Sequence, residues 1–157
     1  MNNNFHFETD KNDFICIATE KFKKNEKINL VITGNSMIPF LVHKRDTAVL
    51  SKFFGEVKKG DILLYFRDNG KYILHRVYDY DEKGVYFVGD SQNYIEGPVP
   101  YENILAECTC VLRKGKLIEQ QAFVWKFFSK IWIRLIFIRQ PIIRLITEVN
   151  KFFKNNV

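Results

Sequence analysis

Between residues 28 and 120 the apolar positions come in short runs, partly alternating with polar ones, and each run ends at Gly, Asn, Asp or Lys. That pattern predicts strands joined by tight turns rather than helices. The runs are INLVITG (28–34), DTAVLSKFF (46–54), DILLYFR (61–67), KYILHRVYDY (71–80) and GVYFVG (84–89). ILAECTCVLRKGKLIEQ (104–120) reads as a last hairpin turning at Lys114-Gly115. Asp68-Asn69-Gly70 is a hairpin turn by composition. Ahead of the strands, Phe14, Ile17, Ala18 and Phe22 recur at helical spacing, with Asp10 early and Lys24 late. Residues 1–9 are expected to fray. From Ala122 the pattern turns helical and strongly apolar, with an interruption expected at Pro141. The expected fold is mainly β and antiparallel, with an N-terminal helix and a helical C-terminal tail.

Composition fits one folded domain: 157 residues, 46% hydrophobic and 15% aromatic, which excludes wholesale disorder. Cys16, Cys108 and Cys110 are an odd set, expected to be reduced thiols in a cytosolic chain. Cys108 and Cys110 lie two apart in a strand with no second ligand pair, so buried thiols are expected rather than zinc.

Charge changes the picture more. The net charge of +6 lies wholly in residues 122–157, where seven basic side chains meet Glu148 alone. Lys126, Lys130 and Arg134 recur every four residues among Trp125, Phe127, Phe128, Ile131 and Trp132. No uncharged run approaches the roughly 20 residues that cross a bilayer. A basic, aromatic, amphipathic tail fits an anionic membrane surface, with Trp125 and Trp132 inserted. Packing on the body or on a partner is the alternative, and nucleic acid is not expected. The start, MNNNFHFETDKND, reads as neither a signal peptide nor an anchor. The expected division is therefore a body of 1–121, soluble alone, and a tail of 122–157, the whole cytoplasmic and peripheral on the membrane.

The chemistry-bearing residues fall at the turns. Gly34-Asn35-Ser36-Met37-Ile38-Pro39 follows a strand directly, placing a serine hydroxyl and its own N–H at a sharp exit. A nucleophile with a built-in oxyanion donor needs that arrangement. His75 lies inside a strand and faces opposite to Leu74 and Arg76 by alternation. Unperturbed, its pKa of about 6.5 leaves it mostly neutral at pH 7 and able to act as a base. Gly89-Asp90 ends the next strand, and Glu96 follows before Pro98 and Pro100. His6 and His43 read as exposed. Gly60-Asp61 and Gly89-Asp90 also suit plain turns.

Ser36-Met37-x-Pro39, Gly60-Asp61-Ile62, His75-Arg76-Val77 and Gly89-Asp90, in this order, resemble the boxes of the signal-peptidase and LexA-like serine protease superfamily. The resemblance runs from about residue 30 to 113 and is closest to its short, anchorless bacterial proteins. His75 stands where bacterial signal peptidases carry Lys, as in the endoplasmic-reticulum and archaeal branch. The resemblance implies a coiled antiparallel β fold and a serine endopeptidase acting on a peptide or protein, with a signal or leader peptide as one expected kind of substrate. It implies Ser36 as nucleophile, His75 as base, Asp90 or Glu96 as the carboxylate orienting it, and no cofactor or metal. Gly34 departs from the bacterial pattern, leaving Asn35 or backbone N–H groups to serve the oxyanion. A self-cleaving LexA-like regulator and a non-catalytic binding module are the competing readings.

Overall fold

The computed structural model describes residues 4–5 and 11–155. The expected helix forms as α1, Lys11–Lys23, and buries Phe14, Ala18 and Phe22. The strands follow as β2 (Ile28–Val31), β3 (Thr47–Lys52), β4 (Ile62–Phe66), β5 (Tyr72–Asp81), β6 (Gly84–Val88), β7 (Glu96–Val99), β8 (Ile104–Arg113) and β9 (Lys116–Glu119). Asn4–Phe5, within the segment expected to fray, forms β1 against β2, the one parallel pair among the described residues. The other residues of 1–9, His6 included, lie outside the described part.

One sheet runs β1-β2-β3-β8-β4-β5-β6-β7. Strand β8 is shared: its first half pairs with β4 and its second with β9, while β3 pairs along both. Register slips between Val49 and Leu50, Leu64 and Tyr65, and Val77 and Asp79 add extra residues that bend the strands. The expected mainly β fold with flanking helices is what the chain adopts.

Alternation sorts β4 and β5 onto two cores. Leu64, Tyr72 and Leu74 join a main cluster with Leu30, Phe40 and Leu50. Leu63, Tyr65 and Val77 join a second with Val85 and Phe87. Cys108 is buried in the main cluster, whereas Cys110 is half-buried and Cys16 exposed.

The tail differs from its expectation in two ways. Its first helix, α2, spans Phe123–Lys130, and the break follows at once as 3-10 turns at Trp132–Arg134 and Ile136–Ile138. Pro141 breaks nothing: it sits in the first turn of α3, Arg139–Asn155, where its missing N–H has no intrahelical partner to lose. Nor are the tryptophans free for lipid. Trp125, Phe128 and Trp132 belong to the main cluster, and Phe40 meets the Trp125 ring edge-on at 5.4 Å and Phe128 at 4.9 Å. Insertion of Trp125 and Trp132 into a membrane is thus replaced by burial in the protein. Among the described residues no helix is long and apolar enough to cross a membrane.

Candidate active site

Ser36 stands in a turn between β2 and β3. Met37, Phe40 and Leu41 are buried on its C-terminal side, which anchors the turn in the main cluster. The Leu41 N–H closes the turn on the Met37 carbonyl at 2.8 Å. Gly34 has φ of +86°, the left-handed region that glycine takes without strain, and donates its N–H to His43 Nδ1 at 2.9 Å. That N–H is therefore committed, and Gly34 holds the entry to the turn. His43 is exposed as expected, yet it serves as the acceptor there. Asn35 is exposed, and its carbonyl accepts from the Ser91 hydroxyl at 2.9 Å. The Ser36 N–H has no backbone or side-chain acceptor among the described residues.

Ser36 lines a cavity of about 510 Å³ together with Ile32, Thr33, Met37, Ile73 and Leu74. This cavity follows an open edge of β5. Tyr72 to His75 pair with β4 on one side, and β6 begins to pair on the other side only at Arg76. His75 comes directly after Leu74 on that strand and points to the second cluster's side.

Around His75 the sheet assembles a polar chain. The ring is only 2% exposed. The Tyr65 hydroxyl lies 3.3 Å from His75 Nδ1 and donates to Glu96 Oε2 at 2.9 Å. Since the phenol has one proton and gives it to Glu96, its oxygen is left to accept from Nδ1–H. That fixes the tautomer and leaves the Nε2 lone pair free. No buried side-chain nitrogen or oxygen among the described residues lacks a partner, so Nε2, which makes no hydrogen bond, is the part of the ring that solvent reaches. Phe87 stacks on Tyr65 at 4.1 Å and 13°, holding the phenol in line. Arg67 grips both Glu96 carboxylate oxygens through Nε and Nη2.

Burial is the main influence on His75; Glu96 opposes it and Arg67 adds to it, and the pKa falls to about 4. Burial also pushes Glu96 upward, but the hydrogen bonds from Arg67 and Tyr65 prevail and hold its carboxyl below the usual range. Burial, then Glu96, pushes the Tyr65 phenol upward, so it stays protonated and keeps donating. At neutral pH the set is therefore neutral imidazole, neutral phenol and carboxylate.

Of the two carboxylates left open by the sequence, only Glu96 approaches the imidazole, at 4.0 Å from Nδ1. Asp90 cannot orient His75. Both its oxygens are held by Arg76, at 3.0 and 2.9 Å, and both side chains are fully buried. Arg76 also donates to the Gly60 carbonyl at 3.0 Å, so this pair braces the turn into β4. Asp61 is a turn residue that accepts from the Lys58 N–H at 2.9 Å. Tyr65 and Arg67 were not singled out from the sequence. Leu63 is the cross-strand partner of His75, and Tyr65, two residues on, shares its face. Alternation could have found it.

A family model described as Peptidase S24-like matches residues 4–111 of the 157. The chain belongs to that family. No curated protein and no solved structure matches it. The Peptidase S24-like family lies within the LexA and signal-peptidase-like superfamily that the sequence motifs resemble, and it carries a peptidase-type fold of the serine-protease or LexA kind. Ser36, His75, Asp90 and Glu96 all fall inside the matched segment. The C-terminal segment from α2 onward falls outside it.

Proposed function

We propose that this S24-like peptidase is a serine endopeptidase in which Ser36 is the nucleophile and His75 its base. The observation that carries the reading is the state of His75: buried, neutral, and held at Nδ1 by a Tyr65–Glu96 chain that leaves Nε2 free. Ser36 Oγ attacks a peptide carbonyl carbon while His75 Nε2 takes its proton, and the carbonyl oxygen becomes an oxyanion facing the Ser36 N–H. The tetrahedral species collapses as His75 returns that proton to the leaving amine. Water, deprotonated by the same nitrogen, then hydrolyses the acyl-serine. Tyr65 and Glu96 act by holding the ring and favouring the imidazolium as it forms. The open edge of β5 beside the cavity suits a substrate in extended form, which can add backbone hydrogen bonds there.

Replacing Ser36 or His75 by Ala should each remove peptide cleavage, and the double variant should be barely worse than either, because the pair acts as a unit. Losses that multiply would show that the two residues do not work together. Family membership also favours a second reading, self-cleavage as in LexA-like regulators. Intact mass after incubation at alkaline pH decides it: two fragments that vanish in Ser36→Ala support self-cleavage, and an unchanged chain supports action on other proteins.

The protein is further proposed to sit on an anionic membrane face in the cytoplasm. Support comes from exposed Phe123, Phe137 and Leu145 beside exposed Lys126, Lys130 and Arg144. Full-length protein should float with vesicles containing phosphatidylglycerol, lose most binding in strong salt, and ignore pure phosphatidylcholine. Failure to float with the anionic vesicles would sink the idea.

A further inference from the structure

Four consecutive carbonyls in the turn after β6 face the C-terminal segment, and a side-chain donor meets each one. Arg139 Nη1 donates to the Gly89 carbonyl at 3.0 Å and to that of Gln92 at 3.3 Å. Trp132 Nε1 donates to the Asp90 carbonyl at 2.8 Å. Gln140 Nε2 donates to the Ser91 carbonyl at 2.6 Å. Arg139 is in turn fixed to its own segment, giving Nε and Nη2 to the Trp132 carbonyl at 3.1 and 2.8 Å. Its side chain is fully buried, as is most of Trp132.

The opposite side of the same turn holds the Ser36 loop. The Ser91 N–H donates to the Ser36 carbonyl at 2.8 Å. The Ser91 hydroxyl lies 2.9 Å from the Asn35 carbonyl and 3.0 Å from that of Ser36, where its one proton can be shared. Gly89 allows the approach: a Cβ there would stand 2.6 Å from the Ser36 carbonyl oxygen. The turn is thus a two-sided bracket, with carbonyls toward the tail and donors toward the serine. A guanidinium enclosed by protein costs free energy unless carbonyls take its protons, and here three of them do. A misplacement of about 1 Å at a reacting group can cost a hundredfold in rate, so the bracket bears on chemistry as well as on folding.

We propose that Trp132, Arg139 and Gln140 are positioning residues, which hold the 89–92 turn and through it set the place of Ser36. This rests on Ser36 being the nucleophile. The C-terminal segment, outside the matched part of the chain, then belongs to the framework of the active site.

The test compares full-length wild type with Trp132→Phe, Arg139→Gln and Arg139→Lys, each first shown to be folded by near-ultraviolet circular dichroism. Two readings are taken well below every melting temperature: the rate of Ser36 labelling by a fluorophosphonate, and hydrogen exchange at the Ser91 amide. Trp132→Phe keeps an aromatic ring but loses the donor and some packed surface, so its rate is compared at matched distance below its own melting temperature. It should slow labelling about tenfold and speed exchange at Ser91, while exchange in β4 and β5 and the acid limb of labelling stay put. Arg139→Gln should lose more, and Arg139→Lys should recover part of it. Folded variants that label at the wild-type rate with unchanged Ser91 exchange would overturn the proposal. So would a rate loss that merely follows the loss of melting temperature. If wild-type protein is not labelled at all, the nucleophile reading fails, and the exchange data alone then decide whether the bracket holds the turn.

Discussion

A histidine serves as base only while one ring nitrogen stays unprotonated, and in His75 the hydrogen bond to Tyr65, rather than direct contact with a carboxylate, keeps Nε2 in that state. Replacing Tyr65 by Phe leaves Nδ1 without its acceptor and frees the ring to take the other tautomer. Turnover should fall by about 10- to 100-fold, with little change in KM, in steady-state assays. The pH dependence follows from burial. With a pKa lowered from 6.5 to about 4, activity should rise through an acid limb near pH 4 and stay level above pH 5. An ordinary imidazole would place the limb near 6.5. Glu96 favours the charged ring, so Glu96→Gln should move the limb to still lower pH. Stability has the matching sign. Below about pH 6.5 the unfolded chain binds a proton at this position and the folded chain does not, until about pH 4. Acid therefore removes about 3 kcal/mol of stability across that window, and none further below it. Urea titrations of wild type and His75→Gln at several pH values should show that the variant lacks this part of the slope.

At the scale of elements, the buried Arg76–Asp90 pair ties β5 to the turn after β6. Asp90→Asn leaves a buried guanidinium without its counter-charge and should cost about 3–5 kcal/mol in urea unfolding, with the acid limb unmoved. A shifted limb with intact stability would return Asp90 to the catalytic set. Strands β2 to β6 and the β8–β9 hairpin were legible because apolar runs end at turn residues. Strand β7 was not, since Gly97-Pro98 interrupts it and its pairing comes from Val85 opposite Val99 and Phe87 opposite Glu96. The site divides in the same way. Ser36 and His75, the proposed pair, stand out as local motifs, whereas the contact of Glu96 rather than Asp90 with the imidazole depends on which strands lie side by side. In the tail the helical pattern was plain, but an apolar face reads alike for lipid and for protein. Arg139 looked like one more surface charge, and only the packed turn shows its carbonyl partners.

Across the whole molecule the C-terminal segment closes the main core instead of hanging from it. Trp125→Ala should destabilise the protein by about 3–5 kcal/mol. Deleting 122–157 should leave a body that precipitates, because Trp125, Phe128 and Trp132 would no longer cover Phe40 and its neighbours. Light scattering of the two lengths side by side checks this, and a soluble monomeric body would show the tail to be dispensable for the core. The central proposal is that His75 makes Ser36 reactive. It is tested most directly by following fluorophosphonate labelling by intact mass in wild type, Ser36→Ala and His75→Ala. One adduct on Ser36 of the wild type, none in Ser36→Ala, and labelling slowed at least about a thousandfold in His75→Ala are expected. Labelling of His75→Ala at the wild-type rate, or an adduct that persists in Ser36→Ala, would contradict the account.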